Sequence, residues 1–98
     1  MRKKYMPAIY IMTKKGNGRL YTGVTSDLIR RVYQHKDAEI EGFTKCYGCK
    51  QLVYYELHGD MFSAIDREKQ IKGGSGKMKL ALIEKINPNW KDLYEDLL

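Results

Sequence analysis

AIYIMTKKGNGRLYTGV, residues 8–24, holds two runs rich in β-branched and aromatic residues on either side of Lys14-Lys15-Gly16-Asn17-Gly18. The Asn17-Gly18 step suits a hairpin turn with positive φ, so residues 8 to 13 (AIYIMT) and 19 to 24 (RLYTGV) are predicted to form an antiparallel pair. Side chains alternate along a strand with period two. A connecting loop with an even number of residues puts Tyr10 and Tyr21 on one face, and an odd loop separates them.

Downstream, Thr25, Ser26 and Asp27 offer N-caps for a helix running to about Lys36, with Leu28, Ile29, Val32 and Tyr33 as its apolar arc. At about 100° per residue, Arg31 and His35 border that arc, a rim position suited to a cleft. The stretch 41 to 50, with Gly42 and Gly48, reads as a loop, and QLVYYEL at 51 to 57 as a third strand. Asp60 or Ser63 can cap a second helix that stops at Gly73-Gly74, with Met61, Ala64, Ile65 and Ile71 forming its apolar stripe. Glu68 falls in the middle of that stripe, so its carboxylate must be paired, protonated or bound to a cation. Ser75 can start a third helix using Met78, Leu82 and Ile86. Asn87-Pro88-Asn89 then separates it from a last helix with Trp90, Leu93, Tyr94 and Leu97.

These elements describe one α/β (α+β) domain over residues 1–98, because 98 residues support a single hydrophobic core. Hydrophobic residues at 43% and charged residues at 31% make a globular mixture. No apolar run approaches the roughly 20 residues that cross a bilayer, which excludes a membrane-spanning helix and points to a soluble, cytoplasmic protein. The opening MRKKYMPAIYIM lacks a small-residue cleavage pattern and reads as a first strand rather than a leader. A net charge of +6 favours polyanionic partners. Cys46 and Cys49 do not make a disulfide framework and are expected as reduced loop thiols. With His35 and His58 they supply four N/S zinc ligands, but the histidines lie 23 positions apart rather than the three to five of a compact motif.

The exceptions to binary patterning are Arg31, His35 and Glu68, together with two tyrosines that an even loop would place on one face. They suit phosphodiester hydrolysis, which requires charge neutralisation at the phosphate, an activated water and a stabilised leaving oxygen. Arginine presents a planar, permanently charged fork that matches two phosphate oxygens. A carboxylate can hold Mg²⁺ or Mn²⁺, whose shells are completed by waters and substrate phosphate, so one protein ligand suffices. Tyrosine or histidine can take a proton from water, although tyrosine, with an ordinary pKa near ~10, needs a cation beside it.

Ala8-Ile9-Tyr10, Tyr21-Thr22-Gly23 and a helix carrying Leu28, Arg31 and His35 resemble the GIY-YIG nuclease superfamily; Arg31 follows Gly23 by eight residues and His35 by twelve. Gly42-Phe43-Thr44-Lys45, Leu52 through Glu56, Ala64 through Lys72 and Asn87-Pro88-Asn89-Trp90 are similar to small stand-alone bacterial members. The resemblance implies a three-stranded antiparallel sheet flanked by helices, with the active site on one sheet face. It further implies a divalent-metal-dependent endonuclease of nucleic acid, DNA before RNA, with a place in DNA repair or processing. Tyr10 would be the general base, Tyr21 would position water or phosphate, Arg31 would hold the scissile phosphate, His35 would assist by proton relay, and Glu68 would bind Mg²⁺ or Mn²⁺.

The sequence departs from the family pattern in places. Ala8 replaces the glycine of the first motif and Thr22 the isoleucine of the second. Gly74 stands where similar small members often have a bulky aromatic, and no position is assigned to the asparagine that some relatives place after the metal glutamate. Lys14, Lys15, Arg30 and Lys45 are candidate nucleic-acid contacts beside the site. No attached specificity domain is read here, so substrate choice is weak, structure-based or lent by a protein partner. Two other readings stay open: a nucleic-acid-binding module of the same fold with little catalysis, and a zinc-binding adaptor built on Cys46, Cys49 and the histidines.

Overall fold

The computed structural model describes residues 6–14, 19–37 and 49–98. Strand β1 spans Ala8–Thr13 and β2 spans Leu20–Thr25, paired antiparallel with Thr13 opposite Leu20, Met12 opposite Tyr21 and Tyr10 opposite Gly23. This register places Tyr10, Met12 and Tyr21 on one face, the arrangement expected of an even loop. Lys15 to Gly18 of the turn lie outside the described residues. At its base Thr13 Oγ1 donates to the Arg19 carbonyl at 2.7 Å.

Strand β3, Gln51–Leu57, joins the other side of β1 to give an antiparallel sheet of order β2-β1-β3. The register slips between Ile11 and Met12, leaving Val53 as an extra residue in β3. The slip is held in place by Asn87, a buried side chain whose Nδ2 donates to the Val53 carbonyl at 3.1 Å.

Both faces of the sheet are covered. Helix α1, Leu28–Asp37, lies on the face carrying Ala8, Tyr10 and Met12, where Leu28, Val32, Cys49 and Leu52 complete a core. Asp27 starts this helix by accepting from Arg30 N at 3.2 Å. Helix α2, Met61–Lys72, and α3, Gly76–Ile86, cover the opposite face, where Ile9, Ile11, Val53 and Tyr54 pack with Ala64, Ile71 and Ile83. Asp60 and Ser75 cap them, accepting from Ser63 N at 2.8 Å and Met78 N at 3.1 Å. Gly73 ends α2 with its N–H on the Lys69 carbonyl.

Three expectations require correction. Tyr33 is 51% exposed, and His35, not Tyr33, occupies the buried side of α1. In α3 the buried position belongs to Ile83, while Ile86 is 59% exposed. The last helix, α4, is only Tyr94–Leu97. Trp90 precedes it with φ 54° and packs on the α2/α3 face, so it belongs to the turn after Asn87. From that turn, Leu93 N donates to the Leu52 carbonyl at 2.8 Å, and Leu93, Tyr94 and Leu97 close the α1 face. Among the described residues, no helix is long and apolar enough to cross a membrane.

Candidate active site

Gly23 sets the geometry of the site. It sits opposite Tyr10 in the β1/β2 pair, and a Cβ at that position would meet the Tyr10 hydroxyl at 2.5 Å and ring carbon Cζ at 2.6 Å. The phenol of Tyr10 therefore lies directly across the glycine, in space that any side chain would fill. The ring is fully buried.

Around it gather three of the residues singled out from sequence. Tyr10 Oη and His35 Nε2 are hydrogen-bonded at 3.0 Å across two elements. Tyr21 lies against both rings, with centroids 6.3 Å from Tyr10 and 5.3 Å from His35. Arg31 lies one turn before His35 on α1, and its Nη1 donates to the Val24 carbonyl at 3.5 Å. Burial is the main influence on the Tyr10 phenol and raises its pKa far above the ordinary value, while a hydrogen bond from Arg31 works the other way. Burial also lowers His35 to about 4, helped by the charge of Arg31. Both groups are neutral at pH 7.

Glu68 comes from the other side of the sheet. Helix α2 packs on the Ile9/Ile11 face and runs along the edge strand β2. Its Glu68 side chain is only 12% exposed and its Oε2 accepts from Lys72 Nζ at 2.8 Å. The misplaced carboxylate is thus paired. Among the described residues no three potential ligands converge on one point. The donor set is a single hard carboxylate oxygen pair, which fits Mg²⁺ or Mn²⁺ completed by water and phosphate.

Among the described residues the zinc set does not assemble. His35 is held by Tyr10, His58 Nε2 lies 3.4 Å from Glu56 Oε1, and Cys49 is disulfide-bonded rather than a free thiol. Cys46, Lys15 and Lys45 lie outside the described residues. Lys14 and Arg30 are exposed. At Gly74, a side chain would meet the sulfur of Met78, the flexible end of a neighbouring side chain.

The family model described as the GIY-YIG catalytic domain matches residues 6–81. The chain belongs to the GIY-YIG family. Curated relatives of this GIY-YIG chain include a UPF0213 protein of Staphylococcus saprophyticus, 39% identical over 75 residues, covering 76% of this chain and 90% of the relative. A UPF0213 protein of Staphylococcus aureus is 36% identical, and one of Staphylococcus epidermidis 34%; each match covers 78% of this chain and 92% of the relative. No solved structure matches. The antiparallel sheet with flanking helices is the GIY-YIG architecture, and Tyr10, Tyr21 and Gly23 stand at its two motif strands.

Sequence reading missed a second polar cluster in this GIY-YIG domain. On β3, Glu56 receives Arg67 Nε at 3.0 Å and Nη2 at 3.0 Å, as well as the Tyr54 hydroxyl. Burial pushes the Glu56 carboxyl up, but the hydrogen bonds from Arg67 and Tyr54 outweigh it and hold the pKa below the ordinary value. This network fastens α2 to β3. A tyrosine and a glutamate two positions apart on a strand already face the same way; nothing in the sequence names Arg67 as their partner.

Proposed function

We propose that this chain is a divalent-metal-dependent endonuclease that hydrolyses phosphodiester bonds in nucleic acid, with DNA the first substrate to test. The observation that carries this reading is the Tyr10–His35 hydrogen bond at 3.0 Å, inside a cluster that also holds Arg31 and Tyr21.

Arg31 binds the scissile phosphate through its guanidinium and orients it towards the phenols. Tyr10 then receives the proton of the attacking water on Oη while its own proton passes along the hydrogen bond to His35 Nε2, which accepts it when the neutral ring carries hydrogen on Nδ1. Burial is the main cause of the depressed basicity of His35; the smaller part that comes from the charge of Arg31 is eased when the phosphate brings negative charge beside that guanidinium. Tyr21 holds the water or a phosphate oxygen between the rings. The water oxygen forms the new bond to phosphorus as the 3′ oxygen leaves and takes a proton from solvent, so the products carry a 5′-phosphate and a 3′-hydroxyl, and His35 returns its proton through Tyr10 to solvent. Glu68 would hold Mg²⁺ or Mn²⁺, which when bound supplies charge stabilisation to the phosphate and the departing oxygen. Exposed cations, Lys14 and Arg30 among them, flank the site and can follow the backbone without reading bases.

The test is cleavage of single-stranded, duplex and branched DNA and RNA with Mg²⁺ or Mn²⁺ by wild type, Arg31→Ala and Glu68→Ala, each first shown to be folded. Metal-dependent cutting that drops by roughly 10²-fold or more in both variants is the expected result. No cutting by folded wild type on any substrate would leave a binding module, and cutting unchanged in the variants would remove Arg31 and Glu68 from the mechanism.

A further inference from the structure

Lys72 stands one helical turn beyond Glu68, with Nζ 2.8 Å from Glu68 Oε2. Pairs of this spacing are common on helix surfaces, but the two partners here are unequally exposed. Glu68 is 12% exposed and Lys72 53%. The carboxylate is confined by the packing of α2, whereas the ammonium sits on a flexible stem that can swing into water at little cost.

With a single carboxylate as its protein ligand, a divalent ion draws its affinity from that one charge, and in this structure the charge is already neutralised. An arriving ion must break the ion pair and also tolerate the ammonium nearby. A phosphate changes this balance. It adds negative charge that both cations can share, and Lys72 gains an alternative partner. We infer that Lys72 is a resident counter-ion on Glu68 that a divalent metal has to displace, so that the metal loads together with the substrate phosphate instead of ahead of it. The inference rests on Glu68 being the metal ligand, and it adds a residue that sets when the ion is taken up.

Binding of Mn²⁺ alone, without nucleic acid, tests it, read by the electron paramagnetic resonance of the free ion. Four folded proteins are compared: wild type, Lys72→Met, Glu68→Gln and Lys69→Met. Lys69 is exposed on the same helix, so its replacement makes the same change in net charge at another position. Lys72→Met should bind Mn²⁺ roughly two- to fivefold more tightly than wild type, the size of one partly exposed ion pair. Lys69→Met should change it less, and Glu68→Gln should lose it. No gain in Lys72→Met, or an equal gain in Lys69→Met, overturns the counter-ion role while loss in Glu68→Gln keeps the ligand assignment. Undiminished binding by Glu68→Gln overturns both.

Discussion

Gly23 and His35 show how single residues set the chemistry. At Gly23 the smallest possible addition, a methyl group, collides with a phenol that is packed on all sides, and the Tyr10 ring cannot step aside without disturbing Met12 and Val32 in the same core. Gly23→Ala should therefore destabilise by about 1 to 3 kcal/mol, the usual cost of overpacking. It should also break the Tyr10–His35 hydrogen bond, so cleavage should fall further than stability does. Urea unfolding measured beside cleavage by the folded fraction checks this, and normal activity in Gly23→Ala would show that the close approach is not needed. His35 makes a prediction about acid. Its folded-state pKa, near 4, lies below the ordinary 6.5, so the unfolded chain takes up a proton that the native site refuses. Stability is unaffected above about pH 6.5, falls as pH drops towards 4, and loses no more below that, with a total of roughly 3 kcal/mol. Unfolding free energies of wild type and His35→Gln between pH 7 and 4 should converge as the pH falls; a constant difference would contradict the buried neutral imidazole. The burial of His35 was only half legible from sequence. Its position beside the apolar arc was readable, but hydrophobicity alone favours Tyr33 inward. The helix turns the other way because Tyr10 presents a buried hydroxyl that needs a partner, and that hydroxyl arrives from a different element.

Elements were legible where their signals are local. β1, β2 and β3 begin and end within a residue of the expected positions; Asp60, one of the two caps offered for α2, starts that helix, and Ser75 caps α3 as expected. The places that resisted reading are those decided by contact between elements. Ile83 and Ile86 are equally apolar, and only packing against β3 selects the first. Trp90 carries a helix-compatible pattern with its neighbours, yet it turns out of the chain direction because Asn87 claims the next residues. Asn87 Nδ2 reaches both the Val53 and Lys91 carbonyls, at 3.1 and 2.9 Å, and its Oδ1 accepts from Lys91 N at 3.1 Å. One buried amide thus ties the end of α3, the slipped register of β3 and the C-terminal turn together. Asn87→Ala should cost about 2 kcal/mol, because it leaves buried backbone groups without partners. Asn87→Asp should cost more, since a carboxylate would face two carbonyls. Thermal melts of the two variants rank the effects, and a neutral Asn87→Ala would show that water replaces the amide.

At the scale of the whole molecule, β1 is, among the described residues, the strand with a hydrogen-bonded neighbour on each side and a covered surface above and below. Every one of its residues from Ala8 to Thr13 is buried. β2 and β3 are edges, and Glu68 is carried by a helix that leans on one of those edges. The elements consequently differ in how readily they open. Amide protons of β1 should exchange with solvent more slowly than those of β2 or α2, because the outer elements can detach in partial openings while β1 is released only by global unfolding. Native-state hydrogen exchange resolved by residue tests this, and equal protection across the three would mean that the domain opens as a single unit. If the ranking holds, the two ends of the site fail separately. A fluctuation that peels α2 from β2 takes Glu68 away while Tyr10 is still held by its strand. Under mild denaturant, heat or a weakened β2, metal uptake should therefore disappear from a protein whose central strand is still fully protected.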